Sequence, residues 1–129
     1  MNALVRTALG VFEVDLETEE VEASETDVGG APAPAITLPR LVTAAAAGST
    51  VIAVVDMRPP LAVSHDAGRT WRESGRGLPF GRAVAIAEDD PDLIVYAARN
   101  RLYVSQDGGR FWRALDVELP EIEALELRA

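Results

Sequence analysis

Two features of this chain have the residue types and spacing to do chemistry: a set of arginines at matching points, and a Ser-x-Asp-x-Gly-x-x-Trp motif that occurs twice. Arg40 and Arg82 each stand just before a short apolar run, while Arg58, Arg99 and Arg101 stand on the loop that follows the next one. Guanidinium groups brought together bind carboxylate or phosphate in bidentate fashion. These five, with Arg6 near the corresponding N-terminal loop, would then form an anion-binding site. The plainer alternative is that they pair with the 21 acidic residues of a chain whose net charge is −9. His65, the single histidine, stands at the tip of a turn and reads as solvated. The row Glu13, Asp15, Glu17, with Glu19, Glu20 and Glu22 nearby, is rich in oxygen ligands but lacks the Gly-containing spacing of a calcium loop. Cysteine is absent, which excludes disulfides, thiolate metal sites and cysteine nucleophiles. No metal and no cofactor is expected.

The motif reads Leu61-Ala-Val-Ser-His-Asp-Ala-Gly-Arg-Thr-Trp71, then Leu102-Tyr-Val-Ser-Gln-Asp-Gly-Gly-Arg-Phe-Trp112. A tight hairpin leaves backbone N–H groups unpaired. A Ser hydroxyl and an Asp carboxylate can satisfy them, and Gly permits φ > 0. Ser64, Asp66 and Gly68, and likewise Ser105, Asp107 and Gly109, are therefore expected to hold their own turns, with Trp71 and Trp112 buried against neighbouring strands. This is a structural role, not metal binding or acid catalysis. Phe111 stands where the first copy has Thr70, so one hydroxyl is lost in the second.

The elements that position these residues are strands. A length of 129 residues suits one domain, and a hydrophobic fraction of 48% makes it a globular one. Phe12, Val14 and Leu16 alternate with Glu13, Asp15 and Glu17, the period of a half-buried strand. Residues 25–37, with Gly29-Gly30 and the Ala31-Pro-Ala-Pro34 run, read as a surface loop. From Leu38 the text is periodic. Leu-Pro recurs at Leu38, Leu78 and Leu119, each time followed by an apolar strand: Leu41 to Ala47, Ala83 to Ala87 and Ile122 to Leu127. A repeat of about 40 residues holding four short strands is the mark of a propeller blade. The Ala44–Ala47 run favours helix by propensity, and register with the other repeats predicts strand instead.

The two hairpins resemble the Asp-box, or BNR, repeats of sialidase-like and sortilin-like β-propellers, and Ala85 to Ala98 is similar to the inner half of such a blade. The resemblance runs over about residues 38 to 127 and implies an all-β propeller of four-stranded antiparallel blades. It implies no one activity, because Asp-boxes occur in enzymes, receptors and assembly factors alike. A sialidase-like site would use Tyr backed by Glu, plus an Asp and an Arg cluster. The tyrosines here, Tyr96 and Tyr103, fall inside strands, and Glu88, Asp89, Asp90 and Asp92 fall on a turn assigned to the end opposite the arginines.

Three blades can be counted. Blade one is 1–27 plus an inner strand over 121–129, blade two is 38–76, and blade three is 78–118. Propellers use four to eight blades, so three leave an open ring. The expectation is a homodimer forming six blades, each C-terminal strand completing blade one of a partner, with a trimer as the alternative. The function expected is a non-catalytic scaffold or binding propeller that recognises an anionic small molecule, glycan or protein at the channel face through Arg40, Arg58, Arg82, Arg99 and Arg101. The alternative is a minimal sialidase-like glycoside hydrolase. The acidic charge argues against nucleic acid and anionic membranes as partners. With neither a leader pattern nor an uninterrupted apolar stretch of spanning length, the chain reads as soluble and cytoplasmic.

Overall fold

Alternating and continuously apolar runs both become strands in the computed structural model, which describes residues 1–29 and 33–128. Gly30, Ala31 and Pro32, part of the expected loop, and Ala129, the last residue of the expected inner strand, lie outside the described residues. In chain order the strands are β1 (Asn2–Thr7), β2 (Gly10–Asp15), β3 (Val21–Ser24), β4 (Leu41–Ala47), β5 (Thr50–Val55), β6 (Leu61–Ser64), β7 (Arg72–Ser74), β8 (Ala83–Ile86), β9 (Ile94–Ala98), β10 (Arg101–Ser105), β11 (Arg113–Ala114) and β12 (Ile122–Arg128). No helix occurs among the described residues.

The strands form three four-stranded antiparallel sheets, propeller-like blades in which the chain zigzags outward from an inner strand. Blade two is β4-β5-β6-β7 and blade three is β8-β9-β10-β11. Blade one is β12-β1-β2-β3, so the last strand of the chain supplies its inner edge. β12 pairs with β1 of the same chain from Asn2↔Arg128 to Thr7↔Ile122. Exchange of this strand between copies, expected from the sequence, is therefore not needed to complete blade one. The cis ladder satisfies the same backbone groups.

Side-chain size explains the strands that propensity leaves open. The alanine run of β4 pairs residue by residue with β5, including Ala44↔Ala53 and Ala45↔Ile52. Its two faces are both covered, Ala45 and Ala47 by one apolar cluster and Ala44 by another. Packing on both faces overrides helix propensity, because small side chains let adjacent layers approach. β2 stops at Asp15, one residue short of the apolar pattern, because the Asp15 carboxylate accepts the N–H groups of Glu17 at 2.8 Å and Thr18 at 3.1 Å and turns the chain.

Blade three stands between the other two, since its inner strand β8 touches both β4 and β12. Val5, Val14, Val95, Leu102 and Leu125 fill the joint between blades one and three. Ile52, Val54, Leu61, Ile94 and Tyr96 fill the joint between blades two and three. A third, smaller cluster lies on the far face of blade two, where Ala44, Val51 and Ala53 are covered by Ile36, Leu38 and Trp71.

Candidate functional site

The two Ser-x-Asp-x-Gly-x-x-Trp turns have closely similar hydrogen bonding. In the first, the Ser64 hydroxyl donates to Asp66 Oδ1 at 2.7 Å and accepts the Gly68 N–H at 2.8 Å. Asp66 also accepts the Thr70 hydroxyl at 2.6 Å and the Thr70 N–H at 2.9 Å. The Thr70 hydroxyl, then the Thr70 N–H and Ser64, hold the Asp66 carboxyl well below the usual range. In the second turn Ser105 donates to Asp107 at 2.8 Å, and Asp107 accepts the N–H groups of Phe111 at 3.0 Å and Arg110 at 3.1 Å. The Phe111 N–H leads in lowering the Asp107 pKa, with Ser105 and Arg110 adding to it. Each carboxylate is occupied by its own turn.

The second turn also joins two blades. Ser74, on the outer strand of blade two, donates its hydroxyl to the Gly109 carbonyl and accepts the indole N–H of Trp112 at 2.9 Å. Gly109 has φ +92°, and a Cβ there would stand 2.8 Å from Val63 Cγ2. Only glycine permits this approach. Trp112 then meets Tyr96 edge-on, with ring centroids 6.4 Å apart.

Backbone hydrogen bonds tie the loops that carry the predicted arginines to neighbouring segments. Asp56 N–H donates to the Arg40 carbonyl, Ile122 N–H to the Arg99 carbonyl, and Ala8 N–H to the Glu121 carbonyl. Their side chains take separate partners. Arg82 pairs with Glu121 at 2.8 Å and Arg101 with Glu118 at 3.0 Å. Arg40 donates to the Asp56 carbonyl at 3.5 Å, and Arg58 lies over the Phe80 ring, 5.7 Å from its centroid. Arg6 sits 3.8 Å from both Asp27 and Glu123. Arg99 makes its contact through the backbone, at φ +59°.

Two open volumes stand out among the described residues. A central groove of about 830 Å³ runs between the inner strands β4, β8 and β12, and Val28, Gly29, Ala33 and Pro34 border it. Its walls are small and apolar, such as Ala45, Ala46, Val84 and Leu125. Arg82, Glu88, Glu123 and Glu126 stand among the charged residues that line it. Among the described residues each of the three inner strands is paired on one side only. An outer cleft lies at the joint of blades two and three, in lobes of about 270 and 490 Å³ that share Pro59, Glu73 and Arg76. Arg72, Arg110 and His65 line the first lobe, Arg58 and Phe80 the second. Of these, Arg72, Arg76 and Arg110 carry no motif position and were not singled out from the sequence. Their adjacency depends on how β7 and the blade-three turn meet.

Tyr96 is fully buried, and its hydroxyl donates to the Pro79 carbonyl at 2.7 Å. Burial, with Tyr103 beside it, raises its pKa well above the ordinary value. Among the described residues no group of three or more His, Asp or Glu side chains could hold a metal ion. None of the described residues forms a helix long and apolar enough to cross a membrane.

No family model and no curated protein matches the chain. The crystal structure of a GH74 enzyme from Niastella koreensis is similar to it, at 17% identity and a TM-score of 0.49, over 92% of this chain and 18% of that one. The chain thus spans less than a fifth of that enzyme's length. The likeness gives no residue here a role.

Proposed function

We propose that this chain is a non-catalytic binding module whose working surface is the central groove, and that the groove takes an extended polypeptide segment. The observation that carries this reading is the groove itself. Three inner strands, each with one unpaired edge, surround an opening of about 830 Å³ with small apolar walls and a rim of both charges. Unpaired strand edges offer backbone donors and acceptors to another chain, and alternate side chains of that chain find the apolar walls. An anion is a poorer occupant here, because the Arg82 guanidinium is taken by Glu121 and that of Arg128 by Glu126.

The placement of the other reactive groups supports binding over hydrolysis. A glycosidase needs two groups a few ångströms apart at the sugar. Tyr96 holds the Pro79 carbonyl, and Asp66 and Asp107 hold their turns. The Glu88–Asp92 turn lies at the end of β9 away from Arg99. Selection of peptides from a displayed library against the purified chain tests the reading. Binders are expected to shift the amide resonances of β8 and β12, and Ala46→Trp, which fills the groove from an exposed position on β4, is expected to abolish binding. Turnover of aryl glycosides that disappears in Tyr96→Phe would replace this reading with the sialidase-like one.

A further inference from the structure

The outer cleft has a charge pattern unlike that of the rest of the molecule. Acidic residues outnumber arginines 21 to 12, so a guanidinium placed at random on this surface has little difficulty finding a carboxylate. Arg6, Arg82, Arg101, Arg113 and Arg128 each do so. Seven arginines pair with no carboxylate within 4.0 Å among the described residues; Arg40, Arg69 and Arg99 stand apart, whereas Arg58, Arg72, Arg76 and Arg110 all line the same two-lobed cleft. Among the described residues Glu73 is the only acidic one lining it, with Asp92 behind the Gly108 turn. A surface of net negative charge therefore carries one concave region of net positive charge.

We propose that this cleft binds a compact polyoxyanion, a small ring-shaped molecule bearing two or more phosphate or sulfate ester groups. The planar guanidinium fork matches a tetrahedral oxyanion in bidentate fashion. The lobes adjoin at Pro59, Glu73 and Arg76. Arg72 and Arg110 serve the lobe beside the Gly108–Gly109 turn, Arg58 the lobe beside the inter-blade connection, and Arg76 both. Two anionic groups on one compact body can occupy the two lobes together. Pro59, Pro60, Pro79 and the exposed ring of Phe80 supply a rigid apolar wall for that body, with Arg58 already seated over the Phe80 ring. The lobe volumes are of ligand size. A long polyanion such as nucleic acid would extend past the cleft onto acidic surface and be repelled, so the ligand's charge must be concentrated inside it. This site is separate from the central groove, and the outcome of peptide selection does not bear on it.

Calorimetric titration with inositol hexakisphosphate and with sucrose octasulfate, at low salt, tests the proposal and separates the two ester classes. One-to-one binding of at least one probe is expected. Loss of a bidentate contact in Arg76→Gln, or of two in Arg72→Gln/Arg110→Gln, is expected to weaken it by about tenfold or more. Arg82→Gln and Arg101→Gln remove the same charge away from the cleft and are expected to change affinity by less than about twofold. If Arg76→Gln loses near-ultraviolet circular dichroism, Arg76→Lys keeps the charge without the fork, and about tenfold weakening is again expected. Failure of the wild-type chain to bind either probe overturns the proposal. So does equal weakening by Arg82→Gln and Arg76→Gln, which would make net charge the cause, and so does undiminished affinity in Arg76→Lys.

Discussion

At the scale of single residues, Asp66 and Asp107 hold equivalent turns with unequal help. From the fourth residue after it Asp66 receives both an N–H and a hydroxyl, those of Thr70, whereas Asp107 receives only an N–H from the equivalent Phe111, a residue 78% exposed. The hairpin role of both carboxylates was readable in the sequence, because turn chemistry is local and Ser, Asp and Gly state it within five residues. What Arg72, Arg76 and Arg110 face was not readable, because nothing in their spacing says that β7 and the blade-three turn border one cleft. A pH dependence follows from the turns. Hydrogen bonds to the ionised form keep the folded pKa of each Asp below its unfolded value of about 3.9. Below that value the unfolded chain binds more protons than the folded one, so stability falls as pH falls from about 4 towards the folded pKa. Urea unfolding of the wild-type chain should show this loss between about pH 4 and pH 2. Asp66→Asn/Asp107→Asn should unfold more easily near neutral pH and show a shallower slope over the acid range. Parallel slopes in the two proteins would remove these turns as the source.

At the scale of elements, the strands were legible because side-chain period and turn residues are local signals, and β4 was fixed by register with the other repeats despite its alanines. The joints between blades were not legible. Ser74 is an ordinary residue at the end of a three-residue strand, yet its hydroxyl bridges the Gly109 carbonyl and the Trp112 indole across two blades. It is 8% exposed, so water cannot readily replace it. Ser74→Ala leaves a carbonyl and an indole N–H without their partner. The expected cost is about 1–3 kcal/mol in urea unfolding, the penalty for orphaned buried polar groups. The Trp112 fluorescence should shift with it. A loss below about 0.5 kcal/mol would mean that the joint is held by its apolar contacts alone, since distant surface changes fall within that range.

At the scale of the molecule, the repeat spacing allowed three blades to be counted, but not how the open ends are treated. A C-terminal inner strand forms the same ladder whether β1 belongs to its own chain or to another, so the sequence pattern is silent between them. Among the described residues each end carries side chains that can cover it. Blade one presents a face with Asn2, Glu13, Asp15 and Glu22, on which Asn2 donates to Glu13 at 2.7 Å. Blade two has an apolar far face, and Ile36 and Leu38 of the segment before β4 lie on it with Trp71. The likeness between the two motif turns shows what these residues replace. The Gly109 turn packs on Val63 and Ser74 of blade two, while the Gly68 turn packs on Ile36, which stands where a neighbouring blade's strand would be. If these covers suffice in solution, light scattering should give a mass near 13.8 kDa. Ile36→Ser/Leu38→Ser should uncover the Ala44, Val51 and Ala53 face, and the same measurement should then show mass rising with concentration. A wild-type chain that scatters as a dimer, and becomes monomeric when residues 121–128 are removed, would instead restore the six-bladed ring with exchanged strands.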